Sequence, residues 1–290
     1  MQQYAIITDS SCDLTQELAD QLELQVAPLS VRYKAKEYAN YLDGRELNIH
    51  EFYEGLRAGE QTSTTAANPE QWAEIMKPEL HSGKDVLVLA FSSGLSNTYN
   101  AARIAAGDLQ EQYPDRKILV VDTLCASLGQ GMLVYLTCKQ RQQGKSIDEA
   151  WQFAEDTKLH LCHWFTVDDL YFLKRGGRIS GTTAMVGSLL QIKPVMHVDD
   201  AGHLVPVSKA RGRKASIMAL LDHMVETAVN PEEQTIFISH GDCLEEVEEL
   251  AQKIKQTLHV KEVVINHVGP VIGSHSGPGT VALFFVGTHR

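Results

Sequence analysis

The segment Asp85-Val-Leu-Val-Leu-Ala90 contains a short apolar run that leads into the polar turn Phe91-Ser-Ser-Gly-Leu-Ser96. A helical pattern follows from Asn97 to Glu111. A short apolar run bounded by turn residues is typical of a strand that is buried on both faces. Strand, polar turn and helix in this order predict one unit of a parallel β-sheet that is covered by helices.

The same order occurs twice more in the first half of the chain. Tyr4 to Thr8 is an apolar run that ends in polar residues and leads into leucines at helical spacing, and Lys117 to Val121 precedes a helical run from Ala126 to Gln143. We therefore predict an α/β protein whose N-terminal part is an α/β/α sandwich with a mainly parallel sheet. Ligands of such sheets bind beyond the carboxyl ends of the strands. The polar residues expected to gather there are Asp9-Ser10, Ser92-Ser93 and Asp122-Thr123.

The second half of the chain has a different pattern. From about Leu161, apolar runs are separated by a glycine cluster and by the turn Asp199-Asp200-Ala201-Gly202, which is typical of a hairpin. We predict a smaller, mixed α+β domain over residues 163–279. The first domain would span residues 1–162 and be completed by a C-terminal strand near residues 280–290, with the ligand site between the two domains.

Close to the C-terminus lies Gly269-Pro-Val-Ile-Gly-Ser-His-Ser-Gly-Pro-Gly-Thr280, which has two Gly-Pro steps and four glycines. Such a composition predicts a rigid loop of turns. We expect this loop to display the ring of His275 outside any helix. The apolar run Val281 to Val286 would then attach the loop to a core strand.

Composition excludes several classes of function. The chain has 290 residues and a formal net charge of −11, which argues against nucleic-acid binding. It has no apolar run near the ~20 residues of a membrane span, and its first residues lack a basic signal region. We expect a soluble cytoplasmic protein with at most transient membrane contact. The five cysteines form no CxxC pair, so we expect neither disulfides nor a metal site, and we expect no cofactor.

Familiar catalytic and phosphate-binding motifs fail when they are tested. Gly176 to Gly181 has the GxxxxG spacing, but Thr182 stands where a P-loop requires lysine. The dinucleotide fingerprint and the GxSxG elbow do not occur. An acyl hydrolase or transferase that uses Ser93 with His275 as base stays open as an alternative, as does a lipid-sensing regulatory module.

Taken together, six motifs make the chain resemble the DegV family, because their order and spacing match across nearly its whole length. They are Asp9-Ser10, Thr62-Ser63, Phe91 to Tyr99, Val121-Asp122-Thr123, Leu173-Lys-Arg-Gly-Gly-Arg-Ile179 and Gly273-Ser-His-Ser-Gly-Pro-Gly279. This family includes the fatty acid-binding subunit (FakB type) of bacterial fatty acid kinase. The resemblance implies a non-catalytic protein that holds a long-chain fatty acid between its domains while a separate kinase subunit phosphorylates the carboxylate.

The resemblance also implies roles for particular residues. The carboxylate site would comprise Thr62, Ser63, Ser92, Ser93, His275 and Arg178. Arg211 resembles the basic position at which the kinase docks. The family usually has Gln-Pro after Thr-Ser, where this chain has Thr64-Thr65, and glycine where it has Asn97. These departures leave the chain-length preference open, and the sequence does not decide whether Thr62 or Ser63 is the closer donor.

Overall fold

The computed structural model describes residues 3–180 and 191–290. Met1, Gln2 and residues 181–190, which include the last glycine of the Gly176 to Gly181 spacing, lie outside the described residues. The strands are β1 (Tyr4–Asp9), β2 (Gln25–Ala27), β3 (Ser30–Tyr33), β4 (Lys36–Ala39), β5 (Thr62–Thr65), β6 (Asp85–Ala90), β7 (Ile118–Asp122), β8 (Leu161–Thr166), β9 (Ile192–Val198), β10 (Leu204–Arg211), β11 (Thr235–His240), β12 (Glu262–His267) and β13 (Val281–Val286).

Ten α-helices occur in the described part of the chain. They are α1 (Gln16–Gln21), α2 (Ile49–Arg57), α3 (Pro69–His81), α4 (Thr98–Gln112), α5 (Leu128–Gln142), α6 (Ile147–Thr157), α7 (Leu170–Arg175), α8 (Arg213–Thr227), α9 (Leu244–Leu258) and α10 (Pro270–Ser276). Among the described residues, no helix has the length and apolar character that crossing a membrane requires.

The first sheet is parallel throughout, with the strand order β2-β1-β6-β7. Its two faces are covered by different helices, because alternate residues of a strand point to opposite sides. Val86 and Val88 pack with the buried residues of α3 and α4, whereas Leu87 and Leu89 pack with those of α5 and α6. The predicted α/β/α arrangement is confirmed.

The second sheet is mixed and has the strand order β10-β9-β8-β13-β11-β12. The predicted hairpin is present as the antiparallel pair β9 and β10. The expectation that the C-terminal strand completes the first domain is wrong, because β13 lies inside the second sheet, between β8 and β11. Leu283 and Phe285 on β13 are fully buried, and this central position surrounds their apolar side chains with neighbours.

A third, antiparallel sheet has the order β4-β3-β5 and packs against α2. The helix that follows β5 begins as the sequence predicts. Asn68 caps the backbone N–H of Gln71, the Gln71 side chain accepts from the N–H of Asn68, and Pro69 occupies the first helical position. The hydroxyl-rich strand β5 therefore leads directly into a capped helix.

The expectation that the Gly-Pro segment is a loop without a helix is wrong. Pro270 to Ser276 form α10, and His275 lies in its last turn. Proline is favoured at the first helical position because its φ angle is already helical and its missing N–H would have no partner there. Gly277, with a φ of 80°, ends the helix in a conformation that other residues rarely adopt.

Candidate functional site

A cavity of about 270 Å³ lies between the three sheets. One wall comes from the turns that follow β6 and β7, which is where ligands of parallel sheets bind. The opposite wall comes from the second sheet, and β5 and α10 contribute the rest. Most of its lining is apolar, and this part includes Leu29, Phe91, Leu95, Phe165, Leu173, Val198, Val271, Ile272 and Phe284. The walls suit a hydrocarbon chain.

A cluster of polar groups lines the cavity around the C-terminal end of α10. His275 Nε2 is 2.8 Å from Thr64 Oγ1, while His275 Nδ1 is buried without a hydrogen-bond partner among the described residues. Ser276, which also lines the cavity, is 5% exposed and its hydroxyl likewise has no described partner. Buried polar atoms normally have a partner, so two such atoms on residues that line one cavity are unusual.

His275 is neutral at physiological pH. Burial, together with the smaller effect of the nearby positive charges of Arg178 and Arg175, lowers its pKa to about 4. Its ring lies against Gly176, where a side-chain carbon would be 2.2 Å from Nδ1, so a glycine is needed at this position. A neutral imidazole in this place can donate one hydrogen bond and accept another.

Arg178 lines the cavity, but its side chain already has protein partners. Its Nε donates to the carbonyl oxygen of Leu95 at 3.2 Å, and Nη1 donates to the carbonyl oxygen of Gly176. Burial lowers the pKa of the guanidinium. The side chain therefore joins the turn after β6 to the turn after α7, and it adds positive charge to the wall of the cavity.

Two of the predicted site residues on β5 lie beside the cavity lining. Thr64 and Thr65 line the cavity, whereas Thr62 and Ser63 do not. Ser63 is exposed, and the buried hydroxyl of Thr62 has no partner among the described residues. The residues that line the cavity are thus two positions further along the strand than the pair that the resemblance implies.

The turn after β6 shows a similar displacement. Ser92 is buried and donates its hydroxyl to the carbonyl oxygen of Gly202 at 3.0 Å. Ser93 is exposed, and its backbone N–H donates to Asp122 Oδ1 at 3.1 Å. Ser96 and Asn97 line the cavity instead. Ser93 does not line the cavity that His275 lines, so the structure gives no support to the Ser93 and His275 pair of the hydrolase alternative.

The polar residues expected beyond the carboxyl ends of the parallel strands do not line the cavity, but several of them bind the turn that does. Asp9 Oδ2 accepts from the N–H of Phe91 at 2.8 Å, and Asp122 accepts from Ser93. Burial raises the pKa of Asp9 while hydrogen bonds oppose this rise, the largest contribution coming from Ser11. These carboxyl groups fix the turn whose Phe91 and Leu95 line the cavity.

A second polar group in the cavity wall was not predicted from the sequence. Ser127 and Ser239 both line the cavity, and their hydroxyl oxygens are 3.0 Å apart. The Ser127 oxygen is also 2.6 Å from Oδ2 of Asp13, whose pKa burial raises to about 8. The signal available in the sequence was Asp13 itself, which follows a strand end, but nothing in the sequence pairs it with residues more than a hundred positions away.

Arg211 lies away from the cavity. It is the last residue of β10, which is an edge strand of the second sheet, and its side chain is exposed. Lys209 on the same strand is exposed as well. This position is accessible to another protein, and the docking role of Arg211 stays a prediction.

The model of the DegV family, described as an uncharacterised protein family, matches residues 3–288. The chain belongs to the DegV family. A DegV domain-containing protein of Clostridium perfringens is 46% identical over 287 residues, which are 99% of this chain and 98% of that protein. The six motifs in the sequence had indicated this family correctly.

Solved DegV structures have the same fold. A fatty acid-binding DegV family protein from Thermus thermophilus matches with a TM-score of 0.88 and 32% identity, covering 98% of this chain and 99% of that one. The fatty acid kinase B3 protein of Streptococcus pneumoniae, loaded with linoleic acid, matches with a TM-score of 0.84 and 21% identity, covering 98% and 99%. At that identity, the second likeness shows the shared fold.

Proposed function

We propose that this DegV protein is a carrier that buries a long-chain fatty acid in the cavity between its sheets. The observation that carries the proposal is the cavity itself, which has apolar walls and unpartnered polar atoms of His275 and Ser276 at one end. The fatty acid binding of the Thermus thermophilus relative supports it. The ligand carboxylate would lie at the His275 end and the acyl chain along the apolar walls.

The acyl chain and the carboxylate are expected to contribute differently to binding. Each buried CH₂ group contributes about 0.8 kcal/mol, so a chain of about fifteen methylenes contributes on the order of 12 kcal/mol before the costs of association. A hydrogen bond to a charged group contributes about 1.5 to 3 kcal/mol. The acyl chain therefore supplies most of the affinity, and the polar end fixes the position of the carboxylate.

The positions of the donors lead us to revise the carboxylate site. We assign Thr64 and Ser276 as direct donors, and Ser96 also lines the cavity. His275 orients Thr64, because a neutral imidazole that donates its Nε2–H to the Thr64 oxygen leaves the hydroxyl hydrogen of Thr64 free for the carboxylate. Arg178 contributes charge, since two of its nitrogens already donate to carbonyl oxygens. Thr62, Ser63, Ser92 and Ser93 then serve as supports of the wall.

We further infer that the protein presents the carboxylate to a separate kinase subunit and is not itself the catalyst. Neutral hydroxyl and imidazole donors neutralise less of a carboxylate than a bidentate arginine would, and they leave an oxygen free to attack a phosphate. The exposed Arg211 is the proposed docking residue.

The proposed function is tested by delipidating the purified protein and titrating it with palmitate and with methyl palmitate. The two probes share the acyl chain, but only the acid carries a charged group. We expect palmitate to bind with a stoichiometry of one and the ester at least about tenfold more weakly, as loss of a charge-assisted hydrogen bond predicts. Failure of the delipidated, folded protein to bind either probe would contradict the proposal, and equal affinities would contradict the carboxylate site.

A further inference from the structure

The Asp13, Ser127 and Ser239 side chains form a hydrogen-bonded row that ends at the cavity. The Ser127 oxygen is 2.6 Å from Asp13 Oδ2 and 3.0 Å from the Ser239 oxygen. Ser127 has one hydroxyl hydrogen, so it donates to one of these neighbours and accepts from the other. In either direction, the Ser239 hydroxyl at the end of the row keeps hydrogen-bonding capacity for a further group.

The backbone of Ser127 has an unusual conformation. Its φ is 53° and its ψ is −145°, a region in which residues other than glycine are strained. A glycine would adopt this conformation at lower cost, yet the position holds a serine whose hydroxyl faces a buried carboxyl group. Strain of this kind persists where the side chain has a role that depends on its exact position.

The Asp13 end of the row and His275 lie at opposite ends of α10. Gly269 precedes α10 and lies against Asp13, because a side-chain carbon on this glycine would be 2.5 Å from Asp13 Oδ1. His275 is in the last turn of the same helix. At a rise of about 1.5 Å per residue, the two ends of α10 are roughly 9 Å apart.

We propose that Ser127 and Ser239, supported by Asp13, form a second polar position in the cavity that binds a hydroxyl group carried on the middle part of the acyl chain. The inference rests on the proposed function and specifies its ligand class, which is hydroxylated long-chain fatty acids. A hydroxyl suits the row because it both donates and accepts, so it pairs with Ser239 in either direction of the row.

The test compares stearate with 2-, 10- and 17-hydroxystearate, each titrated into delipidated wild type, Ser239→Ala and Ser127→Gly. Ser127→Gly removes the hydroxyl group and also relieves the backbone strain. It therefore separates the hydrogen-bonding role of the side chain from the strained backbone conformation. Ser274→Ala is the matched control, because Ser274 is a buried serine whose hydroxyl donates to the Pro270 carbonyl at 2.7 Å and does not line the cavity.

We expect wild type to bind 10-hydroxystearate at least as tightly as stearate. In Ser239→Ala and Ser127→Gly, the affinity for 10-hydroxystearate relative to stearate should fall about fivefold or more, which is the effect of one lost hydrogen bond. The ratios for the 2- and 17-isomers, and all ratios in Ser274→Ala, should not change. A role confined to holding the fold would alter the affinities for stearate and 10-hydroxystearate by the same factor.

Two outcomes would overturn the inference. If wild type binds stearate and the variants leave the ratio of the affinities for 10-hydroxystearate and stearate unchanged, the second polar position is wrong while the proposed function stands. If folded wild type binds none of the four acids, the proposed function fails and the inference fails with it.

Discussion

His275 Nε2 lies 2.8 Å from Thr64 Oγ1, although 211 positions separate these residues in the chain. The contact joins the last turn of α10 to β5, and so it connects an element from the end of the chain to the small antiparallel sheet. Both residues line the cavity. This pair, and not Thr62 or Ser63, defines the polar end of the proposed lipid site.

Replacing Thr64 by valine should weaken fatty acid binding about tenfold or more. The substitution removes a hydroxyl next to the proposed carboxylate and keeps the β-branched shape, and a hydrogen bond to a charged group contributes about 1.5 to 3 kcal/mol. Thr62→Val is the matched control on the same strand and should change affinity less than about twofold. Calorimetric titration with palmitate measures the affinity of both variants. A larger loss of affinity in the Thr62 variant would favour Thr62, the residue that the resemblance implied.

Ser276→Ala should affect the lipid-free and the lipid-bound protein differently. Without ligand, the substitution removes a buried hydroxyl that has no described partner, so the melting temperature of the lipid-free protein should stay the same or rise. With ligand, a donor to the carboxylate is lost, and the stabilisation by added palmitate should be smaller than in wild type. Thermal unfolding of delipidated protein at several palmitate concentrations measures this. Equal stabilisation of wild type and variant would remove Ser276 from the site.

Asp13→Asn should become more stable relative to wild type as the pH rises. Burial raises the pKa of the folded Asp13 carboxyl from an ordinary 3.8 to about 8. Between these values the unfolded chain ionises while the folded protein keeps its proton, so this group lowers the free energy of unfolding by up to about 1.4 kcal/mol per pH unit. Asparagine does not ionise. Urea unfolding of both proteins from pH 4 to 8 should show a difference that grows with pH, and a constant difference would contradict the raised pKa.

Arg211→Glu should leave fatty acid binding unchanged and abolish phosphorylation of the bound acid by a fatty acid kinase subunit. Arg211 is exposed on an edge strand far from the cavity lining, so only the docking of a partner depends on its charge. Lys261→Glu is the matched control, because it reverses a charge that is exposed just before β12 at the other edge of the same sheet. Acyl-phosphate formation measures both. Full activity of the Arg211 variant would remove this residue from the docking site.

The strands and the buried helices could be predicted because their signals are local. The apolar run of β6 was placed at its observed limits. The Gly-Pro segment was misread because glycine and proline predict turns when they are considered alone. Proline at the first position of a helix has the opposite meaning, and it is this position that Pro270 occupies.

The site was found only in part, since its geometry depends on contacts between distant elements. His275 and Arg178 line the cavity, and on β5 it is Thr64 and Thr65, not Thr62 and Ser63, that line it. The binding roles of these residues stay predictions. Which of several neighbouring hydroxyls faces a cavity depends on the register of β5 against β3, and local composition does not report register. The row formed by Ser127 and Ser239 was missed for the same reason.

The central claim, that this DegV protein holds a fatty acid, is tested most directly by native mass spectrometry of the protein as purified. The account predicts a bound mass of one long-chain fatty acid per chain, which is released by solvent extraction and restored by adding that acid to the stripped protein. Protein that carries no such mass, and that stays empty after incubation with a series of long-chain acids, would contradict the account.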